Sequence, residues 1–210
     1  MALVIGTNCG FVTTAPTSDP DGDNFWLDGN SLAIKDTSPA TAAKITEIGW
    51  HCKNATPDVN FEIGLYSHDS GSDIPQTRLN VDNSNAKGTT AGWKTVSVNW
   101  TIDANTIYWL AVQLDDTNST NVDGDYGVSS RISKDGNSTG LITPWNSDYT
   151  YNNPIALYAV WEEAPTGTNI QVNVDDSLKD VATAYVNVDD SWKEVANAYC
   201  QVDDAWKTIF

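Results

Sequence analysis

Residues 170–210 say nearly the same thing three times. At a spacing of fourteen residues Val174 aligns with Val188 and Val202, Leu178 with Trp192 and Trp206, and Lys179 with Lys193 and Lys207. Each copy also carries an aspartate pair, at 175–176, 189–190 and 203–204. A fixed short period marks a single supersecondary unit used repeatedly. The unit reads as a β-hairpin: Val186 and Val188 alternate with Tyr185 and Asn187, the aspartates make the break, and Trp192 with Val195 stands on the return arm. Aspartate accepts the left-handed backbone of a tight turn less readily than glycine, so the pairing register and the face of the tryptophans stay open.

A lone two-stranded hairpin is marginal in water, and one such unit cannot bury its own aromatic rings. Cover has to come from the other repeats, from the rest of the chain, or from the same repeats of neighbouring chains. The third arrangement is favoured, because closed symmetric assembly covers faces and strand edges together. The expectation is a homo-oligomer, with a trimer among the closed forms, joined through Tyr185, Trp192, Tyr199 and Trp206.

Length and charge bound what remains. The 210 residues suit one domain plus an appendage. Net charge is −17, from 28 acidic and 11 basic side chains, and the only arginines are Arg78 and Arg131. Phosphate neutralisation needs basic patches, so nucleic acid and anionic membrane surfaces are set aside as direct partners. No apolar run approaches the ~20 residues that cross a bilayer, which argues against membrane insertion. The opening MALVIGT lacks a basic stretch and a long apolar core, so no signal peptide is visible. Three cysteines do not make a disulfide framework. Cys200 falls where the other copies carry Val186 and Val172 and reads as a small core residue. A Cys9–Cys52 bridge stays open.

Residues 1–164 alternate short strand patterns with polar turns. Ile48, Trp50 and Cys52 share one face of KITEIGWHC, and Val59, Phe61, Ile63 and Leu65 share one face of VNFEIGLY. Val96, Val98 and Trp100 keep step in WKTVSVNW, as do Tyr108, Leu110, Val112 and Leu114 in TIYWLAVQL. No helical period stands out; residues 41–45 allow one turn at most. Loops rich in Asp, Asn, Ser, Thr and Gly separate the strands. The fold expected is all-β, an antiparallel β-sandwich of jelly-roll type, with residues 165–169 linking it to three hairpin repeats at 170–210.

Three kinds of chemistry can be sought in this sandwich. Ser67, His68 and Asp69 are adjacent, but neighbours on a strand point to opposite faces, so they make no triad. With His51 the only other histidine and no carboxylate pair standing out, the chain reads as non-enzymatic. Asp19, Asp21, Asp23 and Asn24 concentrate hard oxygen ligands suited to Ca²⁺, and NVDGDYG at 121–127 repeats the Asp-Gly-Asp pattern. Both stretches read equally as turns. The nine tryptophans invite a third reading. A pyranose packs its apolar face on a ring while Asp and Asn bond its hydroxyls. Trp145, Tyr149 and Tyr151 lie in the polar stretch TPWNSDYTYNN with Asn146, Asp148, Asn152 and Asn153, which makes it the ligand-binding candidate, its alternative being simple cover for the sandwich end. Trp50 and Trp100 fall in the apolar set of their strands and read as core, whereas Trp26, Trp93 and Trp109 can be assigned either way.

The stretches KITEIGWHCKNATPDVNFEIGLYSHDSG and GWKTVSVNWTIDANTIYWLAVQLDD resemble a β-sandwich module of bacteriophage tail-fibre and other appendage proteins and of bacterial surface proteins. The repeats are similar to the V-x-V-N-G-x-W-K-x-V hairpins that end such proteins, with Asp-Asp in place of Asn-Gly. The resemblance implies a virion or extracellular surface location and an adhesive or structural role, and it supplies no catalytic motif. The function expected is binding of a cell-surface glycan or receptor by a self-assembling appendage. The alternative is a purely structural virion or filament component that binds only its own copies.

Overall fold

The computed structural model describes residues 2–12, 15–16, 24–27, 29–53, 58–114, 121–123, 132–136, 140–151 and 155–163, and in the tail 170–174, 177–181, 185–188, 191–194, 199–202 and 205–208. The chain divides into two compact units, Met1–Ala164 and Pro165–Phe210. Among the described residues every regular element is a β-strand.

The first unit is a sandwich of two six-stranded antiparallel sheets. One runs in the order β1 (Cys9–Gly10), β12 (Leu157–Glu163), β4 (Ala42–Cys52), β9 (Asn121–Asp123) and β2 (Asn24–Trp26), with β7 (Gly92–Thr101) also paired to β4. The other runs β11 (Tyr149–Tyr151), β10 (Ile132–Gly136), β3 (Asn30–Thr37), β8 (Ile107–Leu114), β5 (Asn60–Asp69) and β6 (Ile74–Ala86). Of residues 41–45, the one stretch whose sequence allows a helical turn, all but Thr41 belong to β4. There Ala42 and Ile45 enter the core, and the ladder to β12 holds the backbone extended.

The period-two patterns place the core as alternation requires. Ile48, Trp50 and Cys52, then Phe61, Ile63 and Leu65, and Leu110, Val112 and Leu114 all join one cluster between the sheets, with Val96, Trp100 and Tyr108 beside them. Alternation alone does not account for β8, which is buried from Tyr108 to Leu114 on both faces. Its outer residues Trp109 and Ala111 belong to a second cluster with Ala33, Tyr66, Leu141 and Trp145. The opposite sheet has its own outer cluster, in which Cys9, Val12 and Tyr158 pack with Leu3, Ile5, Trp93 and Val160. Both outer faces of the sandwich are thus partly roofed, by irregular residues 141–145 on one side and by the segment around β1, residues 3–12, on the other.

In β4 the ladder to β7 and the ladder to β12 both skip Thr46: Ile45 and Glu47 have partners on each side and Thr46 has none. A bulge of this kind re-aims side chains locally and strengthens twist.

The second unit consists of three two-stranded antiparallel sheets: β13 (Ile170–Val174) with β14 (Ser177–Val181), β15 (Tyr185–Val188) with β16 (Ser191–Glu194), and β17 (Tyr199–Val202) with β18 (Ala205–Thr208). The register left open by the sequence is now defined. Val188 pairs with Ser191 and Val202 with Ala205, so two residues separate the arms. Asn187 stands opposite Trp192 and Gln201 opposite Trp206. The aspartate pairs themselves lie outside the described residues. Directly opposed positions share a face, so positions 185, 187, 192 and 194 lie on one side and 186, 188, 191 and 193 on the other. The apolar positions are therefore divided between the two faces of each hairpin.

Candidate functional site

The stretch singled out as ligand-binding runs from edge strand β6 of the second sheet to β11 at its other edge, and the structure divides its residues between two jobs. Trp145 is only 5% exposed. Its ring meets the Tyr66 ring edge-on at 5.1 Å, and its Nε1–H donates to Ser133 Oγ at 2.9 Å. The backbone follows: Trp145 N donates to the Gln76 carbonyl at 3.0 Å, and Tyr66 Oη donates to the Ile142 carbonyl at 2.7 Å. Arg78 adds two more bonds, its amide to Thr143 Oγ1 at 3.1 Å and its guanidinium to the Leu141 carbonyl. Trp145 therefore anchors the loop to edge strand β6. A covered indole offers no face for a sugar to stack on, so Trp145 is corrected from a stacking ring to the alternative the sequence left beside it, cover for the sandwich.

Tyr149 is placed differently. It is 61% exposed, the largest exposure among the exposed large apolar and aromatic side chains described. Asn146 and Asp148 beside it are exposed as well. Tyr149 opens β11, which the β10 ladder fixes through Lys134↔Tyr149 and Ile132↔Tyr151. Ser147 Oγ ties the loop to Ser133 Oγ at 2.9 Å and to the Tyr149 carbonyl at 3.3 Å. The result is an exposed phenol ring in a stretch that also presents an exposed amide and an exposed carboxylate, on backbone tied to β10. Asn152 and Asn153 lie outside the described residues, and Tyr151 is placed by its register alone.

The calcium candidates Asp19, Asp21 and Asp23 also lie outside the described residues. Asn24 begins β2 and pairs with Asp123 of β9. Among the described residues no group of three His, Cys, Asp or Glu side chains is arranged to hold a metal ion. The four assembly candidates Tyr185, Trp192, Tyr199 and Trp206 occupy the register positions given above.

Ser67, His68 and Asp69 point apart. Ser67 Oγ accepts from the Thr77 amide at 3.1 Å, while His68 Nδ1 accepts from Trp109 Nε1 at 3.1 Å. Asp69 instead caps its own turn: the Gly71 amide at 2.9 Å holds its carboxyl below the usual range. Cys9 and Cys52 are both buried free thiols, so the bridge left open by the sequence is not formed. They sit in different clusters, Cys52 between the sheets and Cys9 outside them. Burial, with Glu47 and Asp36 nearby, pushes the Cys9 thiol up to about 12.

The composition hid one arrangement. On the outer face of the first sheet Tyr158 Oη donates to Glu47 Oε1 at 2.7 Å, and Trp93 stands edge-on to both His51 at 5.2 Å and Tyr158 at 5.1 Å. Burial and the hydrogen bond to Glu47 both raise the Tyr158 pKa. The sequence signal for this site was Gly49: a Cβ there would lie 2.2 Å from Tyr158 Cε1, so the ring lies flat over the glycine. No protein-family model matches this chain, and no curated protein matches it.

Proposed function

We propose that this chain is a non-enzymatic appendage or surface protein that binds a cell-surface saccharide or receptor at the Tyr149 end of its sandwich and self-assembles through its carboxyl-terminal hairpins. The observation that carries this reading is Tyr149, 61% exposed at the start of β11, in a stretch anchored by buried Trp145 that also exposes Asn146 and Asp148. An aromatic face with adjacent hydrogen-bonding groups suits a pyranose ring, and the anchoring beneath it limits the ordering cost of binding. A virion or extracellular location follows from the resemblance of the sandwich and hairpin motifs to phage appendage and bacterial surface proteins.

The test is a glycan array read with and without chelator. Saccharide binding that Tyr149→Ala lowers at least tenfold supports the reading; a silent array overturns it. Sensitivity to chelator would add calcium, with Asp19, Asp21, Asp23 and Asn24 as the candidate ligands.

The division of apolar positions between both faces of each hairpin favours a second reading, a purely structural component that binds its own copies. Each hairpin then needs cover on two sides. Deleting residues 168–210 and measuring mass in solution tests the shared element of both readings. A fall to monomer mass is expected; an unchanged mass removes the hairpins from assembly.

A further inference from the structure

The outer face of the first sheet carries a cleft of about 500 Å³, lined by Leu3, Asn8, Thr46, Glu47, Val160, Trp161 and Glu162. We propose that this cleft is a separate binding site for an uncharged hexose-sized sugar unit. The inference rests on the saccharide-binding reading above but places a second site on the opposite sheet from Tyr149.

Its floor departs from regular sheet. Thr46 is the residue skipped by both neighbouring ladders, and it sits in the cleft beside Glu47. The Glu47 carboxylate is fixed before any ligand arrives. Gly49 leaves room for the Tyr158 ring, the ring carries its hydroxyl to Glu47, and the bond is 2.7 Å. Holding an acceptor in place beforehand removes part of the ordering cost of binding. Asn8 is fixed too: its Oδ1 accepts from the Val4 amide at 2.7 Å and its Nδ2 donates to the Ala2 carbonyl at 3.1 Å. The roofing segment is thereby closed on itself and joined to β12 by the Trp161 amide, which donates to the Asn8 carbonyl at 2.9 Å.

Charge and shape then select the ligand. Glu162 is paired with Lys44 at 2.9 Å, which leaves Glu47 as the carboxylate of the cleft without an ion pair among the described residues. Carboxylates and a threonine hydroxyl want hydroxyl donors, and they repel anions. Leu3 and Val160 supply the apolar wall against which the C–H face of a sugar packs, while the Trp161 ring, 5% exposed, is packed into the core between the sheets. The volume lies within the range of small-ligand sites, about 300–1,000 Å³. A neutral mono- or disaccharide meets all three conditions, whereas uronic and sialic acids fail the second.

The test uses the full chain and saturation-transfer NMR with glucose, galactose, mannose, N-acetylglucosamine and glucuronic acid. At least one neutral sugar should bind and glucuronic acid should not. Glu47→Gln, which keeps shape and removes charge, should weaken that sugar about tenfold or more, the scale of one charge-assisted hydrogen bond. Leu3→Trp should block the cleft without touching Glu47, and thermal melting checks that both variants fold. Tyr149→Ala should leave this sugar bound. Neutral-sugar binding that survives both cleft variants and is lost in Tyr149→Ala overturns the cleft and leaves the Tyr149 reading standing. Glucuronic acid binding as tightly as the neutral sugars also overturns the cleft, and no binding by the unaltered protein overturns both.

Discussion

Single residues carry constraints here that pattern alone does not reveal. Gly49 is one: its missing side chain is filled by the Tyr158 ring. Gly49→Ala should cost about 1–3 kcal/mol, the usual penalty for overpacking, measured as a lowered urea midpoint with unchanged slope. Cys9 is another. Its thiol is held neutral in the folded chain up to about 12, while an unfolded chain ionises it near the ordinary value of 9.0. Between those values the folded state keeps a proton that the unfolded state has released. Stability from this group is therefore complete below pH 9 and is lost as pH rises toward 12. Tyr158, also raised, acts in the same direction at the upper end of that window. Unfolding free energy measured from pH 8 to 11 should fall, and Cys9→Ala should flatten the early part of the fall. By the same reasoning Cys9 should resist thiol reagents at pH 7.5 until the protein unfolds.

At the scale of elements, the strap formed by residues 141–145 decides how the edge of the second sheet is finished. Open edge strands invite pairing with other chains. Strand β6 has part of its edge occupied by this strap, through the Trp145 amide on Gln76 and the Arg78 amide on Thr143. Trp145→Ala should cost about 3–5 kcal/mol in thermal or urea unfolding, because the indole fills the space against Tyr66. Tyr66→Phe should cost only about 1 kcal/mol, one hydrogen bond, and should speed amide exchange at Trp145 before global unfolding. Equal losses from the two substitutions would contradict this account of the strap. The strand patterns were legible in the sequence because each buries one face between the sheets. The strap was legible only as an alternative, because its single indole lies in a polar stretch that suits binding or cover equally. Only the approach of Ser133 and Tyr66, distant in sequence, shows that the ring is covered.

For the whole molecule, the division at Ala164 separates a sandwich with its own core from a tail of hairpins. A chain ending at Ala164 should melt within a few degrees of the sandwich transition in the full chain; a much lower midpoint would show that the hairpins stabilise the sandwich. Net charge of −17 adds a second expectation at this scale. Self-repulsion is screened as salt rises, with a Debye length falling from about 30 Å at 0.01 M to about 8 Å at 0.15 M. The melting temperature should therefore rise over that range.

What the sequence determined by itself was set by local periodicity: strands of period two and the face each presents to the core. Those features follow from alternation of side chains along an extended backbone, which neighbours in sequence dictate. What only the tertiary structure decided was set by contacts between distant segments. Trp145 and Tyr149, four residues apart, went to opposite fates because one meets Tyr66 and Ser133 and the other meets solvent. Glu47 and Tyr158, 111 residues apart, became a positioned pair because β4 and β12 lie side by side over Gly49. Periodicity tells a residue which face it occupies; what covers that face is supplied by the rest of the chain.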